Sequence, residues 1–187
     1  EYDGSSWTAG GALNQQRKQG GGWGTQTAAL VSGGETPPIT NLTEIYDGSS
    51  WTEVGDMNQP RNNCIGFGTS TDGAMVGGSA SVPATYTAEE WNGTSWTATN
   101  ALNTGREQGG NTGTGVASTL GLFIGGSSPG IPSPGIYAGM EEYNGSTWSE
   151  KEDMSNRRAQ SHNTRTAVGS AIIAAAGVAG GLSNTVE

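Results

Sequence analysis

The groups that could do chemistry in this chain are few. His162 is the one imidazole and Cys64 the one thiol among 187 residues. A histidine-built metal centre needs several imidazoles, and a cysteine zinc site or disulfide framework needs more than one thiol. No catalytic residue, metal or cofactor is therefore expected. Cys64 stands beside Ile65 with no histidine near it in sequence, which reads as a buried thiol rather than a nucleophile. Gly20-Gly21-Gly22 lacks the Lys-Ser/Thr that makes a glycine loop a phosphate cradle. Glu35, Glu44, Glu53, Asp56, Glu89, Glu90, Glu141, Glu142, Glu150, Glu152 and Asp153 read as solvated edge charges that guard against stray strand pairing. Sequons begin at Asn41, Asn92 and Asn144, but the last two sit in a repeated Asn-Gly turn that already explains the asparagine.

One charged residue does recur with fixed spacing. Arg17, Arg61, Arg106 and Arg158 each lie ten residues after a tryptophan: Trp7, Trp51, Trp96 and Trp148. A guanidinium fork in every repeat suits a structural task, bonding carbonyls or a carboxylate and tying neighbouring units. A ring of four could instead bind an anion. These arginines, with Trp23, Trp91 and Tyr137, form the candidate ligand face.

The elements that must hold them follow from the same repeat. Tyr2-Asp3-Gly4-Ser5-Ser6-Trp7 returns as Tyr46 to Trp51, Trp91 to Trp96 and Tyr143 to Trp148. The tryptophans are 44, 45 and 52 residues apart, and running from Trp148 through the C-terminus back to Trp7 adds 46. Each Arg is followed eight residues later by Thr25, Thr69, Thr114 or Thr166, and then by a double glycine ending at Gly34, Gly78, Gly126 or Gly181. Asp-Gly and Asn-Gly between aromatic-flanked segments mark tight hairpins. Each unit reads as four short strands. The first is small and polar (Gly66 to Thr69), and the second is apolar and runs to the double glycine (Ala29 to Val31, Ala74 to Val76, Leu122 to Ile124). The third ends at the motif aromatic (Thr43 to Tyr46), and the fourth starts at the motif tryptophan. No segment has helical periodicity.

Four-stranded units of this length are the repeats of β-propellers. The Gly-His and Trp-Asp dipeptides of WD40 repeats are absent. An Arg before the first strand, an apolar strand ending in double glycine, and a Tyr and Trp flanking the outer hairpin resemble the kelch family across the whole chain. Here Tyr and Trp enclose only four residues, closer than in typical kelch repeats. The Asp-Gly-Ser-Ser-Trp style also looks like repeat proteins of phage and environmental microbial surfaces. The resemblance implies an all-β, kelch-like propeller of four four-stranded antiparallel blades, residues 1–187 as a single domain. Kelch-like copper radical oxidases share such a fold, but the histidine, tyrosine and cysteine ligands they need are missing.

The chain opens inside a third strand and ends at the start of one, so the ring seam joins 184–187 to 1–8. One closed ring is favoured by the even spacing. An excerpt of a longer repeat protein, and completion of a blade by another copy through strand addition, are the alternatives.

Composition bounds the partners. Net charge is −9 with no basic run, which argues against nucleic acid and anionic membrane. No apolar run approaches a membrane span. Gly numbers 33 and Pro 7, while Leu, Ile, Val and Phe together number 25, an aliphatic content low enough to suggest disorder were it not for 6 Trp and 5 Tyr. The connections from double glycine to third strand vary in length, and share a face with the Trp-to-Arg connections. Variable loops on a rigid scaffold are where binding concentrates. The expected function is a non-catalytic structural or adhesion module on an extracellular or virion surface (a fibre, tail or microbial filament). Its partners would be other copies or assembly proteins. A lectin-like, glycan-binding propeller is the alternative; an enzyme and an intracellular kelch adaptor rank below it.

Overall fold

The computed structural model describes residues 1–79, 87–110, 118–128 and 135–160, with the backbone alone of 111, 162–165 and 172–175. Every regular element among them is a strand. The first antiparallel sheet comprises β1 (Gly21–Thr25), β2 (Ala28–Ser32), β3 (Thr43–Tyr46) and β4 (Trp51–Glu53) in that order. The second comprises β5 (Ile65–Thr69), β6 (Asp72–Val76), β7 (Ala88–Trp91) and β8 (Trp96–Thr99). The third comprises β9 (Gly110–Asn111), β10 (Gly121–Ile124), β11 (Met140–Tyr143) and β12 (Trp148–Lys151). A hairpin of β13 (His162–Arg165) and β14 (Ile172–Ala175) follows. The expected strands thus form within a residue or two of their sequence positions. Of the expected fourth unit only this hairpin is described; the double glycine at 180–181 and the seam at 184–187 lie outside the described residues.

The outer hairpins form for a local reason. Asp47 Oδ1 accepts from the backbone N–H of Ser49 and Ser50 at 2.9 and 2.8 Å, and Gly48 supplies φ +92°. The motif aromatics face each other across the strands: Tyr46–Trp51 at 5.0 Å, Trp91–Trp96 at 5.4 Å, Tyr143–Trp148 at 5.0 Å. Such cross-strand pairs stabilise hairpins beyond simple burial.

The sheets pack in sequence order, with β1 on β5, β5 on β9 and β9 on β13. The first two contacts each set a large ring on glycine. Trp23 of β1 lies over Gly66 and Gly73, where an added Cβ at Gly73 would come within 2.6 Å of the indole. Its Nε1 donates to Thr69 O at 2.8 Å, and its ring meets Trp96 edge-on at 6.1 Å. Phe67 of β5 repeats the arrangement over Gly121, edge-on to Trp148 at 6.3 Å. A chain poor in aliphatics fills its core this way, with flat rings against bare backbone.

A backbone chain also crosses the sheets beside their inner strands. Asn63 N donates to Gln19 O at 2.8 Å, Gln108 N to Asn63 O at 2.9 Å and Gln160 N to Gln108 O at 2.7 Å. All four residues have φ between 52° and 60°.

Candidate functional site

The repeated arginines are buried fasteners. Arg61 Nη1 donates to Gly77 O and Thr87 O at 3.2 and 2.8 Å, and its Nη2 pairs with Glu89 at 2.8 Å. Arg106 does the same with Gly125 O, Gly139 O and Glu141, at 3.2, 2.8 and 2.6 Å. Arg17 pairs with Glu44 and donates to Leu42 O at 2.7 Å. Each fork therefore ties the lead-in of strand one to strands two and three of its own sheet. The link between sheets runs through the arginine's backbone instead: Gly34, Gly78 and Gly126 donate to the carbonyls of Arg61, Arg106 and Arg158 at 2.8, 3.1 and 2.8 Å.

A carboxylate partner was expected from sequence, but not its identity. Glu44, Glu89 and Glu141 are buried, not solvated edge charges. Each is completed by the repeated asparagine of the Trp-to-Arg connection. Asn58 donates to Glu89 through both its backbone N–H and its amide at 2.7 Å, and Asn103 serves Glu141 at 2.8 and 2.9 Å. Asn14 serves Glu44 at 2.7 and 2.9 Å. A carboxylate with a guanidinium and several N–H partners survives burial that an isolated one would not. Burial pushes the Glu44 carboxyl up, but donors from Asn14, Gln15 and Arg17 outweigh it and hold it below the ordinary range. The signal was present in sequence: a Glu stands two residues before the motif aromatic in all three sheets.

This corrects most of the expected ligand face. The side chains of Arg17, Arg61 and Arg106 are 2%, 1% and 3% exposed and already matched by carboxylates. Arg158 is buried as well. No ring of open guanidinium groups awaits an anion. Trp23 and Trp91, at 3% and 1% exposure, are core rings and offer no surface for stacking. Cys64 is buried as expected, and burial pushes its thiol up to about 11, away from thiolate chemistry.

Tyr137 is placed differently. The connections from double glycine to strand three do meet the Trp-to-Arg connections at one end of the sheets: Met57 N donates to Asn41 O at 3.0 Å, and Met154 N to Ala138 O at 3.1 Å. At that end of the third sheet a cleft of about 530 Å³ opens, with half-buried Tyr137 in its wall and the exposed Glu150, Asp153 and Arg157 at its edge. The Arg106 guanidinium lies 5.7 Å from the Tyr137 ring centre.

Among the described residues no three His, Cys, Asp or Glu side chains are grouped to hold a metal ion, and no helix is long and apolar enough to cross a membrane. No protein-family model and no curated protein matches the chain.

Proposed function

We propose that the three sheets are successive blades of a kelch-like β-propeller whose fourth blade contains β13 and β14, and that it works as a rigid, non-catalytic module in an extracellular assembly such as a virion fibre, tail or surface filament. One observation supports this most. The N-terminal hairpin is an outer strand pair, with Tyr2 and Trp7 tilted together at 5.2 Å, yet Trp7 is 80% exposed. The equivalent Trp96 and Trp148 are buried against the preceding sheet. The hairpin has no inner strands of its own among the described residues, whereas β13 and β14 are an inner pair with no outer pair there. The two are complementary halves of one blade.

Filling that blade within one chain gives a ring. Filling it between chains gives an assembly by strand addition. Light scattering on the purified chain, with Trp7 fluorescence compared against Trp7→Phe, tests the reading. A 19.0 kDa particle with a shielded Trp7 means a ring, and a multiple of that mass with a shielded Trp7 means an assembly. A fully solvated Trp7 in a stable monomer defeats the pairing of the N-terminal hairpin with β13 and β14.

Partners in this reading are further copies or assembly proteins, with no nucleic acid and no membrane insertion. Metal-dependent turnover would overturn its non-catalytic side. The cleft at Tyr137 favours a second reading, a glycan-binding propeller. With Trp23 and Trp91 buried, it rests on that one aromatic, and a glycan array with the whole chain tests it.

A further inference from the structure

The third sheet departs from the first directly over its arginine. Hydrogen bonds identify the equivalent positions. Leu42, Thr87 and Gly139 each give their carbonyl to the repeated arginine, at 2.7, 2.8 and 2.8 Å. Asn41 and Ala138 each accept from the backbone of the methionine that follows, Met57 or Met154. Thr40 and Tyr137 each accept from the backbone of the next arginine, at 3.2 and 3.1 Å. In the first sheet this run reads Thr-Asn-Leu, and the Asn41 amide closes onto Met57 O at 2.8 Å. In the third it reads Tyr-Ala-Gly. Two filling side chains have been removed and an aromatic wall has been added. A Cβ at Gly139 would sit 3.2 Å from Arg106 Nη1 and 3.6 Å from Asp153 Oδ1, so a side chain there would occupy the cleft.

From this we infer that the cleft beside Tyr137 is a binding site for a neutral pyranose sugar. The inference rests on the glycan-binding reading and adds the site and the ligand class. A volume of about 530 Å³ falls within the range of small-ligand sites, and the lining combines an aromatic face with a few converging polar groups. The Arg106 charge at the floor is already neutralised by Glu141 at 2.6 Å. The edge carries two carboxylates, Glu150 and Asp153, against one guanidinium, Arg157, on a chain of net charge −9. An anionic ligand is disfavoured there. A pyranose presents C–H groups on one face for the tyrosine and hydroxyls at its rim. Glu150 and Asp153 would accept from those hydroxyls, and Thr104 and Arg157 would donate to them.

The test is titration of the ¹⁵N-labelled full chain with the methyl glycosides of glucose, galactose, mannose and N-acetylglucosamine, and with methyl glucuronide as the anionic comparison. At least one neutral glycoside should shift amides in 104, 135–140 and 150–157. Tyr137→Thr, which restores the first sheet's residue, should weaken binding about tenfold, the scale of one lost aromatic contact. Gly139→Leu, equally taken from the first sheet, should abolish it by filling the space, since Gly139 lies outside the left-handed region. Thermal melts confirm that both variants fold. Absence of shifts with all four neutral sugars, tighter binding of the glucuronide, or unchanged affinity in both folded variants overturns the inference. The glycan array separates the two levels. Sugar binding that survives both variants defeats the cleft but keeps the glycan reading, and an array with no binding defeats both.

Discussion

The ground beneath the repeated arginines and the loop above them follow different rules. Arg61 and Arg106 make the same three bonds, to two carbonyls and one glutamate, with distances that agree within 0.2 Å. The segments just above, 40–42 and 137–139, share a backbone path but no side chain. A buried ion pair tolerates no drift, because either partner left alone strands a charge out of water. A loop whose backbone bonds are already made is free to change its side chains, and there the third sheet acquires its cleft. What repeats holds the sheets, and what fails to repeat is available for binding.

The sharpest way to break this comparison is to cut the fastener. Arg61→Ala and Arg106→Ala should each cost about 3–5 kcal/mol, since each leaves a buried glutamate alone. Urea unfolding should give similar losses for both. A near-neutral Arg106→Ala would mean that the third fastener is not equivalent to the second. Replacing Arg61 and Glu89 together by apolar residues should cost less than either single change.

The glycine floor comes next. Gly121→Ala would push a methyl into the Phe67 ring, and its cost should be about 1–3 kcal/mol. The same measurement on Gly139→Leu should show a smaller loss, because only its Cβ crowds a neighbour, Arg106 Nη1 at 3.2 Å, while the rest of the side chain enters the cleft. The pair distinguishes glycines that carry packing from the glycine that makes the cleft.

A smaller contrast lies in two buried carboxylates. Glu44 has a depressed pKa and so contributes stability above the ordinary glutamate range, which is lost as pH falls through its folded value. Glu107 is the opposite case. Burial raises its pKa against a single Asn63 amide contact at 3.4 Å, so it favours the fold when protonated and opposes it as pH rises through the folded value. Glu44→Gln should therefore be destabilising at pH 7 and progressively less so in acid. Glu107→Gln should be stabilising at pH 7, with the gain vanishing in acid. Unfolding midpoints across pH 3 to 7 check both, and a common sign for the two variants would refute the assignment.

How much of this the sequence carried depends on whether the signal was local. The hairpins were legible because Asp-Gly or Asn-Gly between two aromatics has few other uses: strand Thr43–Tyr46 ends at the motif aromatic and strand Trp96–Thr99 begins at the motif tryptophan. The arginine's structural role was legible from its recurrence. Its partner was missed because Glu44, Glu89 and Glu141 sit among other acids, and their fixed offset is counted from the aromatic rather than from the arginine. Trp23 and Trp91 were misplaced for a different reason. A ring that packs on Gly66 and Gly73 or buries against its hairpin partner is set by contacts between distant segments, and composition alone makes every tryptophan look free to bind. The cleft at Tyr137 was half legible. The variable connection from double glycine to third strand pointed to the region, but the opening itself comes from what Ala138 and Gly139 lack.

The weakest test bears on the repeat at its most regular. The outer hairpins use Asp in the first two copies and Asn in the last two, yet the turns coincide. Asn92 Oδ1 accepts from Thr94 and Ser95 at 2.9 Å each, and Asn144 Oδ1 from Ser146 and Thr147 at 2.9 Å each, as Asp47 does from Ser49 and Ser50. Asn92→Asp should therefore change stability by no more than about 0.5 kcal/mol, the scale of an ordinary surface exchange. Its pH dependence should still be visible. Two N–H donors hold the Asp47 carboxyl below its ordinary range, so an aspartate placed in the same turn would add stability at neutral pH and lose it as pH falls through its folded value. The asparagine it replaces cannot respond. A pH-independent difference between the two proteins would mean that the donors meet a carboxylate and an amide alike, and that the choice between Asp and Asn in these turns has no electrostatic content.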